Sequence, residues 1–411
     1  MPWRKGSSAV ETPLNGGALA DIRVLDVATF IAGPFCATLM AEFGADVIKV
    51  EMPGRGDPMR EMGQKYNGVG LTWAQEARNK RGITCDLRSS TGQQIVRELV
   101  KQCDVLVENF RPGTMERWGL GYDTLKEANP RLVMVRISGY GQTGPYSEKP
   151  GFGRVAQAFG GLTYLAGFPD MPPVTPGSPT IADYLAGLYG AFATMVALEH
   201  RRTSGKGQSI DISLFEGIFR ILDNLTIAYQ KLGLVRERMG TATANVVPHN
   251  HYPTRDGKWV AIACTTDRIF ERLAVAIGRP EMGSDPRYQT GAARVENREE
   301  VDAFVSAWTS TLEMDDLVRE LDEQEVPVSA INSIADIFSD PHFEARGAIV
   351  EVDDPVLGPT KMPGVVPRLS ESPGKVDHLA PALGQHNKEV YGELLGYDAD
   401  RLAALAEGGV V

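Results

Sequence analysis

The chain has 411 residues, 43% apolar and 23% charged, which is enough apolar material for one large domain or two ordinary ones and fits a globular protein. Its formal charge of −11 argues against general binding to nucleic acid or to an anionic membrane, so any anionic ligand must be met by a local basic cluster. Four cysteines (Cys36, Cys85, Cys103, Cys264) at wide spacings make no CxxC or Cys/His set, so neither a metal site nor a disulfide framework is expected, and the thiols read as those of a cytoplasmic protein.

Residues 1–18 read as a polar leader without the apolar core of a secretory signal, and no run reads as a membrane span. ADIRVLDVATF (20–30) reads as a strand opening a domain. GPFCATLMAEFG (33–44) reads as a helix with Gly-Pro at its start, and ADVIKVE (45–51) as a second strand. RGITCDL (81–87), DVLVENF (104–110) and RLVMVRISGY (131–140) read as further strands, with helices over 93–103 and 123–130 between them. Strands alternating with helices predict a parallel, helix-covered sheet of Rossmann type. The G-x-G-x-x-G fingerprint is absent after the first strand, where FIAGPF stands instead, which argues against a nicotinamide or flavin site.

GFPDMPPVTPGSPT (167–180) is a Pro/Gly-rich loop. DYLAGLYGAFATMVALEHRR (183–202) after it reads as a buried helix with several small residues. GQSIDISLFEGIFRILDNL (207–225) gives a strand and a helix. A second alternating region starts at WVAIACT (259–265), so 226–325 is expected to form a smaller α/β domain.

Asp183 opens the apolar helix. The simple reading is an N-cap; the chemical reading is an ionised carboxylate facing the small residues Ala182, Ala186 and Gly187. The first histidine is His200, so a Ser-His-Asp or Cys-His site would have to recruit a later one, and His249 and His251 in VPHNHY are the most loop-like. Basic residues cluster in ARNKRG (77–82), at Arg88 and in FRPGTMERWG (110–119), beside the strand ends where parallel sheets bind ligands. Phe110 and Trp118 offer flat faces to a purine, and Arg88, Arg111 and Arg117 are candidates for phosphates.

These segments resemble the class III coenzyme A transferases, the family of formyl-CoA transferase and carnitine CoA-transferase. The matching stretches include LDVATFIAGPFCATLMAEFGADVIKVEMPGRGDPMR (25–60), DVLVENFRPGTMERWGLGYDTLKEANPRL (104–132), ISGYGQTGPY (137–146), DYLAGLYGAFATMVAL (183–198) and VPVSAINSIADIFSDPHFEARG (326–347), in the family's order over nearly the whole chain. The resemblance implies a nucleophilic aspartate at Asp183. It implies a CoA thioester as substrate with no bound cofactor or metal, and CoA contacts at Ile31, Ala32, Arg88, Asn109, Phe110, Arg117 and Trp118. It also implies an interlocked homodimer. In each chain a Rossmann-like large domain (19–225 and the returning 326–411) would flank the small domain (226–325).

Departures from formyl-CoA transferase stand at Ile31 (glutamine there), at Met52 (arginine there) and at TATANVVPHNHY (241–252), which replaces a glycine-run loop. Gly153 stands where many relatives carry an acidic residue. The ATANVVPHN segment resembles transferases that use succinyl-CoA and small C4–C6 dicarboxylates. Phe152, Arg154, His249, Asn250 and His251 are therefore the expected substrate contacts. An acyl-CoA racemase on the same fold would need a histidine at the position of Phe152, and a proton-transfer base cannot be phenylalanine. Transfer between the two carboxyls of one dicarboxylate stays open, as does a non-enzymatic CoA-binding regulator.

Overall fold

The computed structural model describes residues 17–411, so most of the expected leader lies outside the described residues. The chain forms two units. The first contains the described residues up to Leu162, with Gly177–Asp223 and Ala345–Val411. The second contains Thr163–Pro176 and Asn224–Glu344.

Six strands build the first unit's sheet: β1 (Arg23–Asp26), β2 (Asp46–Glu51), β3 (Lys80–Thr84), β4 (Val105–Glu108), β5 (Val133–Ser138) and β6 (Ser209–Ser213). Their order is β3-β2-β1-β4-β5-β6 and every pairing is parallel. This is the doubly wound order expected from the alternation of strands and helices. VLVE of β4 is buried throughout, as a strand covered on both faces must be.

Alternate residues feed two cores. Val24, Val47, Val105 and Val133 join one with α1 (Ala32–Glu42), α4 (Ile181–Ser204) and α5 (Leu214–Arg220). Leu25, Ile48, Leu106 and Met134 join the other with α2 (Ser90–Val100) and the C-terminal helix Asn387–Leu395, through Val390 and Tyr391. Each such side chain contributes about 1.5–3 kcal/mol by leaving water. The helix after β1 covers one face, while the segment after β4, through Met115 and Leu120, covers the other. The loops after β1 and β4 therefore diverge and leave a crevice at the carboxyl ends of adjacent strands. That is where doubly wound sheets bind ligands.

α3 (Gly153–Phe159) and α4 complete the frame of that crevice. α4 packs closely on α1: a Cβ at Gly187 would lie 2.8 Å from the carbonyl of Ala32, and one at Gly190 would lie 2.9 Å from Cys36 Sγ. By length and composition α4 is apolar enough to cross a membrane, which corrects the expectation that no run is. One of its faces, including Ala182, Ala186, Gly187 and Gly190, is buried in the first core; Leu188, Phe192 and Val196 are exposed.

The second unit holds an antiparallel sheet, β9-β8-β7, of β7 (His249–Pro253), β8 (Trp259–Ala263) and β9 (Val328–Ala330). Tyr252, Val260 and Ile262 pack there against Phe270 and Leu273 of α6 (Asp267–Ala276), Val301 and Val305 of α7 (Arg298–Thr309) and Leu317 and Leu321 of α8 (Met314–Glu323). The boundary read at 325 falls inside this unit. Because β9 pairs with β8, the chain stays here to Glu344 before returning.

Candidate functional site

The loop after β1 is shaped by buried charges. Asp26 accepts from the Ala28 N–H at 3.1 Å and pairs with Lys80 at 2.9 Å. Lys49 donates to the Ala28 carbonyl and pairs with Asp57 at 2.9 Å. The other oxygen of Asp57 accepts from the N–H groups of Phe30 (3.1 Å) and Met59 (2.9 Å). All four charged side chains are buried. Burial works against both ammonium groups. It lowers Lys80, whereas Asp26 and Asp57 outweigh it at Lys49 and raise that pKa.

This network holds Phe30 at φ 60°, the left-handed region that a side chain with a Cβ enters at a cost of about 1–2 kcal/mol. Asn109, at the end of β4, fixes the preceding residue. Its Oδ1 accepts from the Thr29 N–H at 2.8 Å and its Nδ2 donates to the Thr29 carbonyl at 2.6 Å. The amide expected to touch CoA is thus engaged with the loop. Next to it, the Phe110 N–H donates to Glu108 at 2.8 Å, and burial pushes that carboxyl up to about 7 despite its bond to Arg136.

Two cavities open at this crevice. The first, about 240 Å³, is lined by Thr29, Phe30, Ala32, Asn109, Phe110, Arg111, Lys149, Phe152 and Asp183 among others. The second, about 410 Å³, is lined by Thr29, Met52, Arg55, Arg88, Phe110 and Trp118 among others. Thr29 and Phe110 belong to both, so the cavities share a wall. The rings of Phe110 and Trp118 meet edge to face at 5.1 Å.

Asp183 is not the N-cap: Thr180 holds that position and Asp183 is the third residue of α4. Burial pushes its carboxyl up to about 6, partly offset by its own backbone N–H. A Cβ at Gly153 would fall 2.0 Å from Asp183 Oδ2 and 2.8 Å from the Pro179 carbonyl. Gln157, one turn further along α3, donates to the carbonyls of Ser178 and Pro179 and so ties down the segment entering α4.

The remaining expected residues are distributed unevenly. Ala32, Asn109, Phe110 and Phe152 join Asp183 at the first cavity; Arg88, Phe110 and Trp118 line the second. Arg88 is exposed and paired with Asp86, which that bond holds below its ordinary pKa. Such an exposed pair is weak enough for a ligand anion to compete with it. The structure does not bring Ile31, Arg117 or Arg154 to either cavity. Ile31 is buried against Met59 and Trp73, Arg117 donates to Thr114, and Arg154 is exposed on α3.

His249, Asn250 and His251 line a cavity of about 300 Å³ within the second unit. There the Asn250 side chain is occupied, accepting from Thr241 and donating to Asp302, while the buried Nδ1 of His249 lacks a partner among the described residues. No group of three His, Cys, Asp or Glu side chains suited to a metal occurs among the described residues. The four cysteines are free and buried, and burial pushes their thiols up to about 12.

Sequence reading missed Thr29, Phe30, Arg55 and Lys149 at the cavities, and Lys49 and Asp57 beneath them. The available signal was a lysine set among the apolar residues of VIKV within DVIKVE, because a buried charge demands a partner.

A doubly wound sheet with a half-buried carboxylate at its switch point, beside a larger groove edged by arginines and aromatics, defines a protein built to take an anionic, nucleotide-sized ligand. The chain belongs to CoA-transferase family III, whose description matches residues 19–387, and it is a class III CoA-transferase. It is 49% identical to succinyl-CoA–D-citramalate CoA-transferase of Chloroflexus aurantiacus over 96% of this chain and 98% of that one. It is 48% identical to the beta subunit of succinyl-CoA–L-malate CoA-transferase of the same organism, again over 96% and 98%. A CAIB/BAIF family protein from Brucella suis superposes with a TM-score of 0.82 at 36% identity, covering 92% of this chain and 100% of that one.

Proposed function

We propose that this protein transfers CoA between small C4–C6 dicarboxylic acids, with succinyl-CoA as donor, and that the carboxylate of Asp183 is the nucleophile. The observation that carries this reading is the position of Asp183: a half-buried carboxylate in a cavity that shares the Thr29–Phe110 wall with a larger groove. CoA's nucleotide would lie in the larger groove, with Arg55 and Arg88 near its phosphates and Trp118 beside its base. The pantetheine arm would cross Thr29 and Phe110 to bring the thioester to Asp183.

An Asp183 oxygen attacks the thioester carbonyl, forming a C–O bond; the C–S bond breaks and CoA leaves as thiolate. The thiolate attacks the aspartyl carbonyl of the mixed anhydride, forming a C–S bond, and the donor acid leaves as carboxylate. The acceptor carboxylate then attacks the aspartyl thioester and the steps run in reverse. No net proton moves, which agrees with a cavity that no histidine lines among the described residues. Holding thiolate and anhydride in one cavity makes the exchange intramolecular. The exposed apolar face of α4 (Leu188, Phe192, Val196) supports reading the working protein as a homodimer.

The test is a panel of D-citramalate, L-malate, glutarate and mesaconate as acceptors with succinyl-CoA. Transfer to one or more with ping-pong kinetics is expected. Absence of transfer to all of them would refute the proposal, and rearrangement of mesaconyl-CoA without an acceptor would replace it with intramolecular transfer.

A further inference from the structure

The first cavity carries more positive charge than its nucleophile needs. Among the described residues Asp183 is the only carboxylate lining it, whereas Arg111 and Lys149 both do. Both cations line the same cavity as that carboxylate, within the space a short acyl chain attached there would enter. Lys149 is held in place. Its Nζ lies 3.5 Å from the Tyr146 ring centroid, and that ring packs edge to face on Tyr140 (5.9 Å) and Phe159 (6.0 Å). Lys149 forms no ion pair among the described residues, so its charge is available. When Asp183 is acylated its negative charge is gone, and two unneutralised cations remain at the cavity.

We propose that Lys149, with Arg111 supporting it, recognises the second, non-reacting carboxylate of the donor and acceptor acids. This rests on the transferase reading above and deepens it. It also moves the role expected of Arg154 to a residue five positions earlier that does line the cavity. The other anion these cations could serve is a phosphate of CoA, and the experiment separates the two.

Binding is measured by calorimetry in the Asp183→Asn protein, which keeps the side chain's shape but cannot turn over. The ligands are succinyl-CoA and butyryl-CoA, which share CoA and a four-carbon acyl chain and differ in the terminal carboxylate. Adding Lys149→Met should weaken succinyl-CoA by about tenfold and leave butyryl-CoA within about twofold; Lys149→Arg should restore most of the difference. Parallel weakening of both ligands would assign the lysine to the CoA phosphates and overturn the proposal, as would no change in either. An Asp183→Asn protein that binds neither thioester would instead overturn the reading of the cavity itself, and this proposal with it.

Discussion

Gly153 and Asp183 occupy one space: the Cβ that any other residue would carry at 153 falls 2.0 Å from Asp183 Oδ2. The carboxylate can point where it does only because this position has no side chain. The absence of a side chain at 153 is therefore part of how this protein presents its carboxylate.

Gly153→Ala should lower kcat by about a hundredfold, the scale on which a displacement of about 1 Å at a reacting group is felt. The carboxylate can swing away more easily than the Pro179 carbonyl, so thermal stability should fall much less. Steady-state kinetics and a melting curve check this, and a variant with kcat within about twofold of wild type would contradict it.

The raised pKa of Asp183 sets an acid limb. As the proposed nucleophile it must be ionised, so kcat/KM for the acyl-CoA should fall below a pH of about 6. The stability effect has the opposite sense. A carboxyl whose folded pKa is raised favours folding below its unfolded pKa near 4, and that advantage is lost as pH rises through about 6. Asp183→Asn should therefore gain about 1–3 kcal/mol over wild type at pH 8, shrinking toward nothing at pH 4, by urea unfolding at the two pH values.

Asn109→Ala removes both bonds to the Thr29 backbone while adding nothing at the cavities. If the amide holds the shared wall, kcat/KM for acyl-CoA should fall about tenfold, the cost of one or two lost hydrogen bonds. The loss should be independent of whether the acyl group is succinyl or butyryl. A loss confined to one acyl group would show direct substrate contact instead.

Lys49→Met strands Asp57 between two backbone donors and leaves Asp26 with Lys80 alone. Breaking a buried pair from one side costs about 3–5 kcal/mol, so urea unfolding should shift by that amount. Phe30 should also lose its left-handed backbone, visible as faster hydrogen exchange at the Phe30 amide.

Much of this architecture was legible in the sequence, because it rests on pattern. VLVE, VMVRIS and DVIKVE announce buried parallel strands, and their alternation with helices gives the doubly wound sheet. Asp183, Phe110 and Trp118 were found as candidate residues of the cavities that the fold brings together. What stayed hidden depends on contacts across the chain. The commitment of Asn109 to Thr29 spans 80 positions, and that of Lys80 to Asp26 spans 54. The extent of the second unit was hidden for the same reason, since only the pairing of Val328–Ala330 with β8 keeps the chain there past 325.

Covalent attachment of substrate to Asp183 can be tested directly. Enzyme turning over succinyl-CoA is quenched with borohydride or hydroxylamine, digested and examined by mass spectrometry. Modification is expected on the peptide containing Asp183, present only with acyl-CoA and lost in Asp183→Asn. Transfer that proceeds at full rate with that peptide unmodified would contradict it.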